Sequence, residues 1–376
     1  MTASVAVSRL PAAAYGATYA EAFADLCQRA DAPNLHMAPA AVAAALNFGI
    51  ASDDIVVLTA HEVEGERLLG LWALRRVRTL HSGLIQVLEA PLVPLYEVSS
   101  APVLDRERAS DVALALVRAI VEAPDLPKIL KLPLLPMQGK VFAAIESALA
   151  ATGSIVTSFE RWQRPMLVPE PGDDAERNLR RALGQGYKKR MQQHRQIEKA
   201  GTLAYERHRS TDAVAALEDF LTLEAAGWKG SRGTALAGLP RHGAYIREIV
   251  RNFAAVDGAR IDLLRLDGVP IAGGLLLDLA GQSHFLKIAY DESKARLSPG
   301  RALAIEMLRA DFAVGRPFRL DSGAGDRVDP SAYPWGERQE MANAIVALAG
   351  RSAALPRLAA AARLQLRRWR DRAGAR

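Results

Sequence analysis

The sequence is poor in cysteine and lacks long hydrophobic runs, and each shortage excludes a class of protein. Its single cysteine, Cys27, cannot form an internal disulfide or a thiolate zinc cage, which favours a reducing compartment. No apolar run approaches the roughly 18 residues of a membrane-spanning helix. The first residues carry only Arg9 as a basic group, inside the apolar stretch before Pro11, and do not resemble a signal peptide. We therefore expect a soluble, cytoplasmic protein.

The motifs of several catalytic classes are also absent. The seven histidines are scattered and form no metal-ligand motif with carboxylates, so we expect no metal. Motifs of the G-x-G-x-x-G and G-x-x-x-x-G-K-S/T kinds are missing, which argues against dehydrogenases and kinases. No G-x-S-x-G or Cys-His arrangement supplies a covalent nucleophile. These absences are compatible with direct transfer of a group between two substrates.

The length of the chain limits the number of domains, and its net charge indicates which partners it suits. The chain of 376 residues exceeds one compact core, so two domains are expected. Hydrophobic residues make up 50% and charged residues 24%, the balance of a globular protein. The net charge of +6 suits an anionic ligand such as coenzyme A, tRNA or a membrane surface, although an arginine-rich composition gives such a charge without an anionic partner.

A repeated order of strands and helices indicates the fold class. From Ile261, three apolar segments separated by turn residues at 267–268 and 280–281 predict an antiparallel meander. A helix beginning near Ser298 and the short strand FRLD follow. The same order occurs earlier, in IVVLTAHEVEGE, RLLGLWALRR and LIQVLEA, followed by the helical segment ASDVALALVRAIVEAP. The sequence predicts two α+β domains, each with a mostly antiparallel sheet flanked by helices.

The repeat also places the domain boundaries. We expect an N-terminal domain over 1–165, a C-terminal domain over 166–350 and a basic tail over 351–376. Within the second domain, the basic segment 173–200 is helical in composition and predicts either a solvated linker helix or an arm that binds a polyanion. The tail predicts either a packed terminal helix or a peripheral membrane contact.

The two copies differ at the start of their helices. The second copy has Ser298, Pro299 and Gly300 there, whereas the loop PLYEVSSAPVLDRERASD of the first copy contains no glycine. The first amides of a helix lack partners within the helix and attract an anion, so the second copy predicts a phosphate-binding site. Ordinary N-capping by Ser298 is the alternative. We expect the first domain to be non-catalytic.

Three segments in fixed order carry a family resemblance: LTLEAAGWKGSRGTAL from Leu221, SHFLKIAYDESKARLSPGRAL from Ser283, and FRLDSGAG from Phe318. Together they resemble the GNAT acyltransferases of the CelD/BcsL type, associated with bacterial polysaccharide and cellulose biosynthesis. The tandem GNAT architecture of that type is similar to that of the FemAB peptidyltransferases. The resemblance covers roughly residues 160–340. It implies N-acetyltransferase-like transfer from acyl-CoA, acetyl-CoA first of all, to an amine or hydroxyl of a sugar, amino sugar or amino-acid-like acceptor.

The resemblance also implies which residues bind the donor. GNAT proteins hold the pyrophosphate in a loop of pattern Q/R-x-x-G-x-G/A, and Gly300, Arg301 and Ala302 match its G-x-A part. Leu297 stands where the pattern has Gln or Arg, with Arg296 beside it. This departure leaves Arg296 and Arg301 available to pair with phosphate. It also keeps open an aminoacyl-tRNA donor, as in the FemAB enzymes.

Direct acyl transfer needs a base, donors for the oxyanion and an acid for the thiolate. The base candidates are Glu224, for which an ion pair with Lys229 is the alternative, and Asp321, for which turn-capping is the alternative. Tyr290, at a strand end, is the candidate acid, with packing as the alternative. Lys287 lies inside a predicted strand and needs a carboxylate, a ligand or an exposed edge.

Aromatic residues near these segments complete the predicted site. Trp228, Lys229, Tyr333 and Trp335 are candidates for binding the acceptor, and packing is the alternative for the aromatic ones. Besides the two donors, a third hypothesis stays open, in which the GNAT fold serves as a non-catalytic scaffold of a polysaccharide-synthesis apparatus.

Overall fold

The computed structural model describes residues 4–49, 54–78, 86–91, 98–170, 174–227, 230, 233, 235–314, 318–325 and 335–349. The chain forms two compact units. The second unit is Arg164–Arg338, and the first contains the residues up to Gln163 together with those from Gln339 onward. The sequence placed residues 339–350 in the second domain, whereas Met341 to Ala347 pair with a strand of the first unit. The tail 351–376 lies outside the described residues.

The helices of the two units are α1 (Ala12–Tyr15), α2 (Ala20–Arg29), α3 (Pro39–Asn47), α4 (Ala109–Glu122), α5 (Lys140–Ala151), α6 (Ala175–Leu183), α7 (Tyr187–Glu198), α8 (Ser210–Ala226), α9 (Pro240–Ala254) and α10 (Pro299–Ala313). The strands are β1 (Val5–Pro11), β2 (Ile55–Glu62), β3 (Leu68–Arg78), β4 (Gln86–Glu89), β5 (Val103–Leu104), β6 (Ile129–Pro136), β7 (Ile155–Leu167), β8 (Leu203–Arg209), β9 (Ala259–Leu266), β10 (Val269–Leu279), β11 (Gln282–Tyr290), β12 (Arg319–Asp321) and β13 (Glu337–Ala347). No helix in these ranges is long and apolar enough to cross a membrane.

The first unit contains a sheet with the strand order β1-β2-β3-β4-β6-β13. Its neighbours are antiparallel except β4 and β6, which run parallel. Helix α4 packs on β1, β2 and β3 and against α5. It buries Val112, Leu116 and Ile120, which recur every four residues and so share one face of the helix.

The second unit contains the order β8-β9-β10-β11-β12, and the end of β7 pairs with β12. Again all neighbours are antiparallel except one pair, β11 and β12. The two predicted turns have positive φ at both central residues, 52° and 81° at Asp267 and Gly268 and 48° and 77° at Ala280 and Gly281. These values define hairpin turns that match the twist of the strands. The predicted meander is confirmed, and so is the repeat: each unit has a parallel strand pair connected by a helix, α4 or α10.

The basic segment 173–200 is two helices and not one. Helix α6 ends at Leu183, and Gly184, with a φ of 55°, starts the short turn that separates it from α7. Neither helix is merely solvated, because Met191 and Ile197 of α7 lie in the core that also buries α10. Helix α10 packs against both α6 and α7. The segment is therefore a structural part of the second unit.

A buried ionic cluster fixes α10 to the sheet. The guanidinium of Arg260 donates to Asp262 Oδ2 at 2.8 Å and to Asp311 Oδ1 at 3.0 Å. Arg207 Nη1 lies 2.7 Å from the same Asp311 oxygen. Two cations and two anions balance, which is the condition under which charges are tolerated in a core. The cluster holds the last turn of α10 against β8 and β9.

Candidate active site

The start of α10 is open to a ligand. Ser298 adopts the left-handed conformation, with φ 53° and ψ 53°, and its side chain makes no capping hydrogen bond. The amides of Arg301 and Ala302 donate to the Ser298 carbonyl at 3.0 and 3.1 Å, and Pro299 has no N–H. The Gly300 N–H is therefore the first-turn donor that faces outward. The absence of a capping bond disfavours the N-capping alternative and leaves this helix end to an anion.

Two arginines surround this helix start. Arg301 is exposed, and Arg190 of α7, which is half-buried, donates from Nη1 to the Leu183 carbonyl at 2.9 Å. Burial and the charge of Arg301 lower the pKa of Arg190. Arg296 is also exposed, in the short helix before α10. Like charges this close repel one another, and a bound phosphate would relieve that repulsion.

The open side of Gly300 faces the end of β11. A Cβ atom at Gly300 would lie 3.4 Å from Ile288 Cδ1 and 3.6 Å from Tyr290 Cδ1. Tyr290 is 38% exposed. The predicted acid and the predicted phosphate-binding loop are therefore neighbours, on the face of the sheet that α10 covers.

The pairing between the parallel strands β11 and β12 ends before β11 does. Their pairing ends at His284 and Asp321, whereas β11 continues to Tyr290. Just beyond, the register against β10 shifts at Leu286, so that Lys287 pairs with Leu275 and Phe285 with Leu276. Such a bulge leaves backbone groups without a ladder partner. Lys287, half-buried, lies on this stretch of β11 that β12 does not reach.

Asp321, a predicted base, is bound on both of its oxygens. Arg164 Nη1 donates to Oδ2 at 3.2 Å, and the Gly323 amide donates to Oδ1 at 2.8 Å. Arg164 also donates from Nε to the Ala324 carbonyl at 3.1 Å. The side chains of Arg164 and Asp321 are 1% and 8% exposed. Because both oxygens already accept hydrogen bonds within the chain, this contact favours a positioning role for Asp321.

His284 lies beside Asp321 and is almost completely buried. Its Nδ1 is 3.8 Å from Asp321 Oδ2, its side chain is 2% exposed, and neither ring nitrogen has a hydrogen-bond partner among the described residues. Burial lowers the pKa of His284 to about 4; the charge of Asp321 opposes this, and that of Arg164 adds to it. The imidazole is therefore neutral near pH 7, with one nitrogen able to accept a proton.

Glu224, the other predicted base, is buried on α8 and not exposed in a surface ion pair. It is 3% exposed, and Oε2 accepts from the Leu236 amide at 2.9 Å. Farther along the same motif, a Cβ at Gly227 would lie 3.5 Å from Glu292 Oε1, in the short helix that leads to α10. The first and second segments of the family resemblance thus meet in space.

Of the candidates for acceptor binding, one is packed in the core and the others lie outside the described residues. Trp335 is 3% exposed and packs edge-on against Phe285, with ring centroids 6.5 Å apart and planes at 68°. This contact favours packing over acceptor binding. Trp228, Lys229 and Tyr333 lie outside the described residues.

The sequence interpretation missed three residues of this region. Arg164 lies beyond the aligned segments, and Arg190 was one of many basic residues in 173–200. His284 was not among the predicted site residues. A lone histidine inside a strand that is otherwise apolar was the signal available for it, because a polar ring in a core needs a partner.

The comparisons with known proteins concern the family and the fold. Residues 186–333 match the acetyltransferase (GNAT) domain family, which confirms the GNAT part of the resemblance. No curated protein sequence matches the chain.

Among solved structures, the chain is similar to FemX, with a TM-score of 0.63 and 13% identity over 87% of this chain and 95% of that one. It is also similar to L-PGS from Bacillus licheniformis, with a TM-score of 0.52 and 11% identity over 89% and 94% of the two chains. The C-terminal domain of a putative lysylphosphatidylglycerol synthetase from Agrobacterium fabrum gives a TM-score of 0.51 and 13% identity over 92% and 96%. At such identities the similarity concerns the fold, and the predicted mixed α+β fold of two GNAT-like units is confirmed.

Proposed function

We propose, from the GNAT domain over residues 186–333, that the protein moves an acyl group from acyl-CoA to an amine or hydroxyl acceptor. The observation that carries the proposal is the start of α10. There the Gly300 amide, the positive end of the helix dipole and the first-turn residue Arg301 come together, and Arg190 is close enough for the charge of Arg301 to lower its pKa. A pyrophosphate has the charge and the acceptor oxygens that such a group of donors requires.

The remaining geometry supports direct transfer along β11. A donor held at Gly300 has Tyr290 as its neighbour and, beyond it, the part of β11 that lies past the end of β12. Backbone donors and acceptors near the bulge at Leu286 are suited to pairing with an extended chain that contains amides, as a neighbouring strand would pair with β11. Tyr290 is exposed enough to return a proton to a leaving thiolate.

The first unit is a non-catalytic domain in this proposal, for an electrostatic reason. Its corresponding helix, α4, begins with Asp111 in the first turn, where α10 has no acidic residue. The Asp111 carboxylate accepts from Arg108 Nε at 3.1 Å. A carboxylate at a helix start repels a phosphate. We therefore assign the donor site to the second unit alone.

The finer assignment follows the family resemblance. We propose a sugar, amino sugar or amino-acid-like acceptor, in polysaccharide or cell-envelope biosynthesis of the CelD/BcsL type, and acetyl-CoA as the first donor to test. The reaction belongs in the cytoplasm in this proposal. Cys27, buried and with its pKa raised to about 12 by burial, is not a nucleophile for such a reaction.

A second donor, aminoacyl-tRNA, is favoured by one observation. Helices α6 and α7 expose a row of basic side chains, among them Arg177, Lys188, Lys189, Arg195 and Lys199. Clustered cations of this kind bind a phosphate backbone, with an affinity that falls as salt rises. We rank this donor second because Arg190 and Arg301, near the start of α10, suit a compact diphosphate.

The test is a thermal-shift and calorimetric screen against CoA, acetyl-CoA, longer acyl-CoAs and bulk tRNA. A ligand at 100 times its dissociation constant stabilises by about 2.7 kcal/mol. We expect a shift with an acyl-CoA that Gly300→Leu abolishes and Gly238→Leu keeps, because a Cβ at Gly238 meets no atom within 4 Å. No heat with any acyl-CoA would contradict the proposal, and a salt-sensitive tRNA shift in its place would favour the second donor.

A further inference from the structure

The most unusual polar side chain of the second unit is His284. Buried polar groups in folded proteins are hydrogen-bonded as a rule, and an exception requires an explanation. His284 is 2% exposed and, within the part of the chain that the structure describes, has no hydrogen-bond partner on Nδ1 or Nε2. Its position is the last pairing of β11 with β12, immediately before the part of β11 that faces the proposed donor path.

The groups around His284 determine what its ring can do. The charges that act on it are those of Asp321, Arg164 and Asp278. Asp321 Oδ2, at 3.8 Å, is on the Nδ1 side of the ring, so a shortening of that distance would place the ring proton on Nδ1 and leave the Nε2 lone pair available. Catalytic hydrogen bonds are often long before the substrate binds.

The side of the sheet on which His284 lies follows from its neighbours. Phe285 and Leu320 lie in the core that α10 covers, so their neighbours His284 and Asp321 point to the opposite face. On that face, a Cβ at Gly273 would contact Phe220 and Leu223 of α8. His284 therefore lies on the α8 side of β11, and Gly300 lies beside the end of β11 on the α10 side.

We infer that His284 is the residue that takes the proton from the acceptor, and that Asp321, held by Arg164, is the positioning residue that orients its ring. This inference rests on the proposed acyltransferase function. It replaces Asp321 as the base, since the oxygens of Asp321 already accept from Arg164 and the Gly323 amide.

The step balances without any further reactant. The nitrogen or oxygen of the acceptor forms a bond to the thioester carbon, and its proton passes to Nε2 of His284. The C–S bond breaks, its electron pair stays on sulfur, and the resulting thiolate receives a proton from Tyr290 or water. The imidazolium then releases its proton to solvent, which restores the neutral ring, and Tyr290, where it was the donor, takes a proton back from solvent. Asp321 stabilises the imidazolium while it exists.

The experiment compares His284→Asn with His208→Asn, the same change at a half-buried histidine that contacts Glu206 at 3.2 Å on β8. Release of CoA thiol is measured from acetyl-CoA, with glucosamine and with water as acceptor probes. Loss of a proton acceptor lowers kcat/KM by about 10²- to 10⁴-fold. We expect that loss for His284→Asn only, with an unchanged affinity for acetyl-CoA in calorimetry.

A second variant keeps the test independent of packing. In His284→Gly, added imidazole should restore thiol release in proportion to its free base, whereas pyrazole, of the same shape but a much weaker base, should not. His284→Asn combined with Asp321→Asn should be no slower than His284→Asn alone, because a positioning residue acts through the ring it orients.

Three results would overturn the inference: a kcat/KM of His284→Asn within twofold of the wild type, equal rescue by imidazole and pyrazole, or multiplicative losses in the double variant. Failure of the proposed function looks different, since the wild-type protein would then neither bind acetyl-CoA nor release its thiol. In that case both proposals fall together.

Discussion

The arginine pair at α10 gives the sharpest prediction about donor binding. In the free protein, burial and the charge of Arg301 lower the pKa of Arg190, which shows that the two guanidiniums repel each other. Arg301→Gln removes one of these charges and keeps a polar side chain of similar length. The ligand-free protein should therefore unfold at the same temperature as the wild type or slightly above it.

The same change should weaken the donor. A hydrogen bond to a charged group contributes about 1.5–3 kcal/mol, which corresponds to roughly a 10- to 150-fold change in affinity. At an acyl-CoA concentration of 100 times the wild-type dissociation constant, ligand stabilisation would fall from about 2.7 to about 0.4 kcal/mol for a 100-fold loss. Opposite effects on the free and the bound protein are what distinguish a ligand-binding arginine from a structural one.

The assay is calorimetric titration of acetyl-CoA with thermal unfolding of the same samples. Arg309→Gln is the matched control, since Arg309 lies on the same helix and donates from Nη1 to Glu306 Oε1 at 2.7 Å. Raising the salt should reduce the difference between wild type and Arg301→Gln, because exposed charges are screened. Equal dissociation constants for Arg301→Gln and Arg309→Gln would refute the assignment of Arg301 to the donor phosphate.

Three further predictions concern the framework of the site and the cysteine. Asp311→Asn leaves the buried guanidiniums of Arg207 and Arg260 with one carboxylate fewer, and urea unfolding should show a loss of about 3–5 kcal/mol; a loss below 1 kcal/mol would contradict the cluster. Gly323→Ala places a side chain at a φ of 62° and 2.6 Å from a carbonyl of β11, and should lower the melting temperature through roughly 1–3 kcal/mol of strain. Cys27, with its pKa raised to about 12 by burial, should resist iodoacetamide at pH 8 until the protein is denatured, and rapid alkylation of the native protein would contradict its burial.

The parts of the fold that follow local rules were predictable from the sequence. The meander of the second unit follows from apolar strands separated by two-residue turns, and those turns have the positive φ values that D-G and A-G sequences predict. The start of α10 follows from Ser298, Pro299 and Gly300. In each case the information lies within a few neighbouring residues.

The boundary at the C-terminal side was not predictable in this way. Strand β13 pairs with β6, from Met341 opposite Pro136 to Ala347 opposite Ile129, and this pairing places residues 339–347 in the first unit. Pairing between strands some 200 residues apart leaves no local signal, because an apolar strand fits any sheet edge of the same pattern. The sequence therefore extended the second domain too far.

The buried polar residues of the site were also beyond local rules. Arg164 and Asp321 are separated by more than 150 positions, and each alone resembles an ordinary surface residue in the sequence. Their burial follows from strand pairing, since Asp321 lies opposite Met166, two residues from Arg164. Because such pairing leaves no local signal, the sequence predicted Asp321 as a base. In the structure, its oxygens accept hydrogen bonds from Arg164 and the Gly323 amide.

The two units share a strand order, so the differences between their helix starts indicate what a donor site requires. Helix α4 carries Asp111 in its first turn, where that carboxylate accepts from Arg108 Nε at 3.1 Å. Helix α10 has no acidic residue in its first turn, and Arg301 lies there. Because the dipole of the helix is the same in both units, it cannot by itself account for a site. In the function proposed for the chain, this difference in side-chain charge at one helix end is what assigns the donor to the second unit.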